Sequence, residues 1–499
     1  MTESAKPKSL FKTIAKDAAL TLGAEVIVLA SFFVFYRLLA NYFGPDGVGV
    51  YSLMRRVLAV AIPVVMLGLS EALGRYIAGT TEEAERSGFV VAGMSVVVST
   101  SAVLALLLNI SGEFSARWIF GDASYAHLIF SFTVLLIGLA THTFVYACLR
   151  GGLQIRALNS LQLLSLGILP PIILLVGRNS AFSIVIILIG LAHAAAAAVF
   201  FVAAVLPRFG LFKGYLRYLK TLLWFGAPRL VGALAGAALF SLGPILASHY
   251  VSISEVGYLS LSLALLIGVG SAAAPLGSVL LPHVSGLVSR GETERFERGL
   301  HLLIGAILQS LLFVVGQVMV FAGYLVTVWM GNAFLPAAQM MAVVFSSLVA
   351  YGFFVVARNI LDAVSPRALN SINASISLGV MIIAMAVIVT LWPANNVALM
   401  FGVSFAVAFN ILGILTYISV RKIFGFKMKE DRRHLLWGLA LNACAIGAAV
   451  FAKQYVTTSL FLFIFFEADL LAAYIIALRL LGFEWVKTLE AKFLSARTL

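Results

Sequence analysis

Arg156-Ala157-Leu158-Asn159-Ser160 returns further along the chain as Arg367-Ala368-Leu369-Asn370-Ser371. Each copy follows an apolar run with a basic end and opens another apolar run. Two more echoes share nearly the same offset. Val48-Gly49 and Ser52-Leu53 match Val256-Gly257 and Ser260-Leu261, and Glu85-Arg86-Ser87-Gly88 matches Glu297-Arg298-Gly299 with one residue missing. Self-similarity at a fixed offset, here about 210 residues, is the mark of duplicated architecture. Membrane transporters commonly carry such repeats, with the substrate site between them.

The environment follows from composition. The chain is 62% hydrophobic and 11% charged, with a mean hydropathy of +1.05. That much apolar surface excludes a water-soluble fold, and its long apolar runs read as membrane helices, each needing about 20 residues to cross. A net charge of +13 would point to nucleic acid in a soluble chain. In a membrane protein it reflects the gathering of Lys and Arg in cytoplasmic loops, so no nucleic-acid partner is inferred. Cys148 and Cys444 lie in separate apolar runs and form neither a disulfide framework nor a metal spacing. No His/Cys/Asp cluster calls for a metal, and no cofactor motif is present. The basic start (Lys6, Lys8, Lys12, Lys16) runs into an apolar stretch too long for a signal peptide, which is read as a retained first helix.

Fourteen hydrophobic spans are expected. The first six are 18–41, 50–78, 88–110, 125–149, 159–177 and 182–206. The next six are 221–249, 257–282, 299–329, 336–358, 370–391 and 396–420, and a last pair covers 434–453 and 458–482. With the N-terminus inside, 27 of the 34 Lys and Arg fall in cytoplasmic segments and 3 (Arg117, Arg178, Lys453) in external loops. The positive-inside rule then places both termini in the cytoplasm. The expected fold is an all-α polytopic membrane protein. It has two parallel six-helix repeats, related by a pseudo-two-fold axis along the membrane normal, plus a C-terminal helix pair. The divisions are a tail (1–17), an N-lobe (18–206), a linker (207–220), a C-lobe (221–420), the extra pair (434–482) and a second tail (483–499).

Gly44-Pro45-Asp46-Gly47-Val48-Gly49-Val50-Tyr51-Ser52-Leu53 resembles the link between helices 1 and 2 in the polysaccharide-exporting branch of the multidrug/oligosaccharidyl-lipid/polysaccharide exporter superfamily. Gly68-Leu69-Ser70-Glu71-Ala72-Leu73 is similar to that branch's helix 2 ending. The second repeat keeps Val256-Gly257-Tyr258-Leu259-Ser260-Leu261. The likeness spans about residues 15–425. It implies a two-lobed exporter that alternates between inward- and outward-open states, and a cargo of polyprenyl-type lipid bearing a sugar chain. Twelve helices are usual in the multidrug members, and fourteen occur among the lipid-linked-sugar flippases.

An ionisable group in hydrocarbon costs at least ~2.5 kcal/mol, so each one within a span needs a reason. Arg37 sits near the outer end of helix 1, where it either snorkels to headgroups or faces a cavity. Arg55 and Arg56 lie near the outer end of helix 2, on faces about 100° apart. Arg56 shares a small, polar stripe with Ser52, Ala59 and Pro63, which favours it over Arg55 for a cavity. Arg229 follows Pro228 in helix 7, and the repeat sets Glu25 of helix 1 at about its depth. The pair reads either as an ion pair or as a working couple. In the second case Arg229 takes a pyrophosphate or acidic sugar, and Glu25 takes a coupling proton or sodium ion. Glu71 and Arg75, four apart, read as a self-satisfied helical pair, and His142 and His193 as core histidines. Pro63, Pro228 and Pro275 are candidate hinges, or static bends.

The leading functional expectation is a multi-pass flippase of the cytoplasmic (inner) membrane. It moves a lipid-linked oligosaccharide, with Arg229, Arg56, Arg55 and Arg37 on the substrate, Glu25 on the ion and no enzymatic site. A multidrug cation antiporter is the alternative, and it requires an acidic, aromatic cavity. A polyprenol-dependent glycosyltransferase fits less well, because the external acids Asp46, Glu113, Asp122 and Glu255 are scattered on short loops.

Overall fold

A computed structural model describes residues 7–271, 293–364, 369–391, 396–424 and 432–487. Among these residues the structure is helical throughout, without strands. That is what a bilayer demands, since a helix satisfies its backbone polar groups internally. Among the described residues twelve helices are long and apolar enough to cross a membrane, or thirteen with one bent pair, so the chain is a multi-pass membrane protein. The chain divides into two units, Met1–Ser260 and Leu261–Leu499.

The first unit opens with α1 (Pro7–Met66), which breaks at Gly44 with φ 65° and ψ −169°. That combination is open essentially to glycine alone. Tyr36 and Ser52, sixteen residues apart, come within 3.3 Å through their hydroxyls. In a straight helix they would stand about 24 Å apart. The chain therefore doubles back at Gly44, and Pro45, which lacks an N–H, starts the returning arm where none is needed. The two arms are joined further by Phe35 on Tyr51 at 4.8 Å between ring centres.

Then come α2 (Leu69–Gly79), α3 (Glu83–Ile110) and α4 (Gly112–Phe120), followed by α5 (Ile129–Gly151) and α6 (Ile155–Gln162). A π-helical stretch, Leu163–Ile168, joins α6 to α7 (Leu169–Val176). Pro170 and Pro171 open α7 without amide hydrogens, and the wider π turn lies just ahead of them. α8 (Phe182–Phe200), α9 (Tyr215–Ala247) and the start of α10 (Ile253–Ser271) complete the unit. α5 packs most extensively on α8, and α1 packs on α9. α9 runs unbroken through both Pro228 and Pro244.

The second unit holds the rest of α10 with α11 (Thr293–Met330), α12 (Ala337–Phe345) and α13 (Leu348–Val364). α14 (Leu369–Leu391), α15 (Val397–Phe424), α16 (Arg432–Val456) and α17 (Leu460–Leu480) follow. The stretch expected as one span over 336–358 is bent by 50° between α12 and α13. α16 and α17 are tied to α11 by a buried polar knot. Asn442 Nδ2 donates to Gln309 Oε1 at 3.0 Å and to the Tyr474 hydroxyl at 2.8 Å, and that hydroxyl lies 3.0 Å from Gln309 Oε1. Phe313, Ala445, Leu478, Phe483 and Val486 close around it. Pro275, an expected hinge, lies outside the described residues.

Candidate functional site

The span expected over 50–78 is interrupted. α1 ends at Met66 and α2 begins at Leu69, with Leu67 at φ 44° and Gly68 at φ 74°. The break coincides with a close approach of α9. A methyl group on Gly68 would run into the carbonyl of Gly226, and one on Gly226 would lie 2.7 Å from the Leu67 oxygen. Pro63, one turn earlier, withholds an N–H from the end of α1. Interrupted membrane helices of this kind leave backbone groups free and are tolerated where they border a cavity.

A cavity of about 510 Å³ adjoins the break. Its wall takes Arg55, Ala59 and Pro63 from α1, Gly68, Ser70 and Glu71 around the break, His142 and Thr143 from α5, and Arg229 from α9. The charged groups in it are unequally satisfied. Glu71 is engaged by Arg150 of α5 at 3.2 Å, and Arg150 also donates to the Ser70 carbonyl at 2.9 Å. The expected helical pair of Glu71 with Arg75 does not form. Arg75 instead stands over the Phe225 ring, 4.8 Å from its centre. Arg229 lies over the same ring at 3.4 Å and donates to the Phe225 carbonyl at 2.8 Å. Among the described residues no carboxylate pairs with Arg55 or Arg229, so two guanidiniums stand in this cavity without a counter-charge.

The remaining expected site residues lie elsewhere. Arg56 is not part of this cavity wall. It reaches two backbone carbonyls, Ser260 O at 2.9 Å and Phe240 O at 3.3 Å, and so ties helix 2 to α9 and α10. The sequence preference for Arg56 over Arg55 is thus reversed for this cavity. Arg37 is partly buried in α1 and takes no part in the wall. Glu25 is exposed, and among the described residues no ion pair joins it to Arg229.

His142 and His193, taken singly from the sequence, come together with ring centres 6.2 Å apart. Both are buried. His193 Nδ1 is satisfied by the Ile189 carbonyl at 2.7 Å, whereas His142 Nε2, sealed from solvent, has no hydrogen-bond partner among the described residues. Nothing in the spacing of 142 and 193 signals the pair, because it depends on how α5 and α8 pack. Glu467 likewise leaves Oε1 buried and unpartnered, while Asp469 is exposed. No group of three metal-ligating side chains occurs among the described residues.

A family model described as polysaccharide biosynthesis protein matches residues 14–288, more than half of the chain. The chain belongs to the polysaccharide biosynthesis protein family. No curated protein matches the chain. Among solved structures, this family member resembles the lipid II flippase MurJ in an inward closed conformation, with a TM-score of 0.71 at 12% identity, over 95% of this chain and 99% of that one. It also resembles an inward-facing multidrug resistance MATE family transporter of the MOP superfamily, with a TM-score of 0.65 at 15% identity, over 83% of this chain and 100% of that one. The eukaryotic MATE transporter AtDTX14 gives 0.59 at 13% identity, over 82% and 96% of the two chains. At such identities the likeness is one of fold.

Proposed function

We propose that the protein is a flippase that carries a lipid-linked oligosaccharide across the cytoplasmic membrane by alternating access. The observation that carries this reading is the cavity beside the broken helix, where Arg55 and Arg229 pair with no carboxylate among the described residues. A sugar-phosphate headgroup cannot cross hydrocarbon unaided. A largely apolar cavity that holds two guanidiniums offers it charge, and planar, two-oxygen hydrogen bonding for its phosphates, while the lipid tail stays in the bilayer. The family match to polysaccharide biosynthesis supports a sugar-bearing cargo.

The fourteen-helix layout belongs to the same proposal. The doubling back at Gly44 makes two crossings of the stretch Leu20–Met66, and the bent pair α12–α13 makes one. With the eleven other spans these make fourteen. The flippase likeness covers 95% of the chain and the MATE likeness 83%, a difference of about the length of the last helix pair. Gly49 and Gly257, equivalent in the two repeats, touch. A methyl group on Gly257 would lie 2.8 Å from the Gly49 Cα. Equivalent residues meet only close to a symmetry axis, which supports a pseudo-two-fold between the repeats. Both termini are placed in the cytoplasm by charge.

Within this scheme Arg55 and Arg229 hold the headgroup in the present state. Arg56 secures helix 2 against α9 and α10, and with Arg37 meets substrate when that side opens. Glu25, exposed on α1, is the candidate for a coupling proton or sodium ion. Pro63 and Pro228 are hinge candidates beside the break. A multidrug cation antiporter is disfavoured, because the one carboxylate in the cavity wall, Glu71, is already bound by Arg150. In a strain lacking the gene, the wild-type protein is expected to restore surface glycan, and Arg229→Glu, made in normal amount, to leave lipid-linked glycan accumulating inside. Restored drug resistance without restored glycan would reject the reading.

A further inference from the structure

We propose that Arg75 and Arg229, gathered on the Phe225 ring, form a two-guanidinium clamp that reads the linker of the cargo and takes a diphosphate in preference to a monophosphate. This rests on the flippase reading and deepens it by naming the linker chemistry.

The clamp is assembled from two helices. Arg75 comes from α2, one turn before its end at Gly79, and Phe225 and Arg229 come from α9. The guanidinium carbon of Arg75 lies 4.8 Å from the centre of the Phe225 ring, and that of Arg229 lies 3.4 Å from the same centre. The two carbons are therefore no more than 8.2 Å apart, the sum of those distances. The ring they share is braced. Tyr76, next to Arg75 in the chain, meets it edge-on at 5.5 Å and stacks on Phe89 of α3 at 5.1 Å. Phe89 in turn meets Tyr218 of α9 at 5.0 Å. Four rings from three helices thus fix the platform on which both guanidiniums rest.

The counter-charge is what the pair lacks. Both side chains are exposed. No acid occurs anywhere in α9, and the acid of α2, Glu71, is held by Arg150 at 3.2 Å. Among the described residues neither guanidinium has a carboxylate partner and Arg75 donates no hydrogen bond. Arg229 spends one N–H on the Phe225 carbonyl at 2.8 Å. Two like charges this close repel each other. The ring attracts both cations without neutralising either, so most N–H groups of two planar forks remain for an outside anion. A single phosphate matches one fork through two of its oxygens. A diphosphate offers adjacent phosphates, one for each fork, and its charge balances both. Arg229 also lines the cavity beside the broken helix, so one arm of the clamp belongs to the wall assigned above to the headgroup.

The test uses the full chain in lipid nanodiscs and isothermal calorimetry. The probes are a short-chain prenyl diphosphate sugar, the prenyl monophosphate of the same sugar, and inorganic pyrophosphate. Wild-type protein is expected to bind the prenyl diphosphate probe about tenfold or more tightly than the monophosphate, the least that a hydrogen bond to a charged group supplies. Arg75→Gln weakens diphosphate binding about tenfold to hundredfold and erases the preference between linkers. Arg75→Lys, which keeps the charge without the planar fork, recovers part of it. Phe225→Leu, which removes the shared ring, also narrows the preference. Because Arg75 is exposed, its variants keep the fold even if Phe225→Leu does not. Equal affinity of wild-type protein for the two prenyl probes, or an Arg75→Gln protein with their ratio unchanged, overturns the clamp while the flippase reading stands. Pyrophosphate binding as tightly as the prenyl diphosphate probe makes this a free-anion site and overturns the linker assignment. No binding of any probe by wild-type protein overturns the flippase reading and the clamp together.

Discussion

Replacing Gly257 by alanine tests whether, in the flippase proposed above, the contact between Gly257 and Gly49 belongs to a closed state. The added methyl carbon would lie 2.8 Å from Gly49 Cα, 2.9 Å from Gly49 N and 3.4 Å from Pro45 O. Carbon atoms settle at about 3.5–4.0 Å, so the backbones must part by roughly 1 Å. No flexible side chain stands in the way to yield instead. Overpacking of this kind costs about 1–3 kcal/mol, equivalent to a shift of about 5- to 150-fold in a conformational equilibrium. If the contact exists only while this side is closed, that cost falls on the closed state alone. Ser52 is 2% exposed and reports closure once changed to cysteine in a background with Cys148 and Cys444 replaced. Its reaction with an impermeant thiol reagent from outside should speed up by a factor in that range. Gly447→Ala is the control, since a methyl group there meets nothing within 4 Å. An unchanged labelling rate in a folded Gly257→Ala protein would refute the claim that these glycines form a closure.

Three further outcomes follow from the structure. Gly44→Ala forces a side chain into φ 65°, ψ −169° and should cost about 1–3 kcal/mol, read as a lower unfolding midpoint in detergent; an unchanged midpoint removes the strained turn. Glu71→Gln breaks a partly exposed ion pair with Arg150 and should lower stability by no more than about 1 kcal/mol, while tightening binding of a diphosphate probe severalfold; weaker binding would show that the carboxylate helps the ligand. Tyr474→Phe strips a buried hydroxyl from Asn442 and Gln309 and should cost about 1–3 kcal/mol, whereas Tyr455→Phe, on an exposed face, should cost almost nothing; equal effects would deny that the knot fastens the last two helices.

The sequence shows the membrane spans because hydropathy is a local property, and it shows the Gly44 turn because glycine followed by proline has a local conformational meaning. It shows the likeness of Gly49 and Gly257, though not that they touch, which depends on how α1 and α10 pack. What it hides depends on packing between distant helices. Arg56 looks better placed than Arg55 on a continuous helical wheel, but the stripe argument does not foresee that α9 and α10 offer carbonyls to one guanidinium and leave the other to the cavity. Glu71 sits four residues from Arg75, yet Arg150 at the end of α5 reaches it instead, and Phe225 takes Arg75. Both changes occur next to the break at Leu67–Gly68, where α9 comes too close for a side chain. The motif at Gly68 marked the place without stating its shape.

Translocation in proteoliposomes tests the central claim most directly. A prenyl diphosphate oligosaccharide is supplied in one leaflet, and its arrival in the other is followed by access to an impermeant glycosidase or lectin. Wild-type protein should move it, while Arg229→Glu, reconstituted in equal amount and equally stable, should not. Transfer at the wild-type rate by Arg229→Glu would contradict the account, because the cavity's unpaired guanidinium would then have no part in carrying the headgroup.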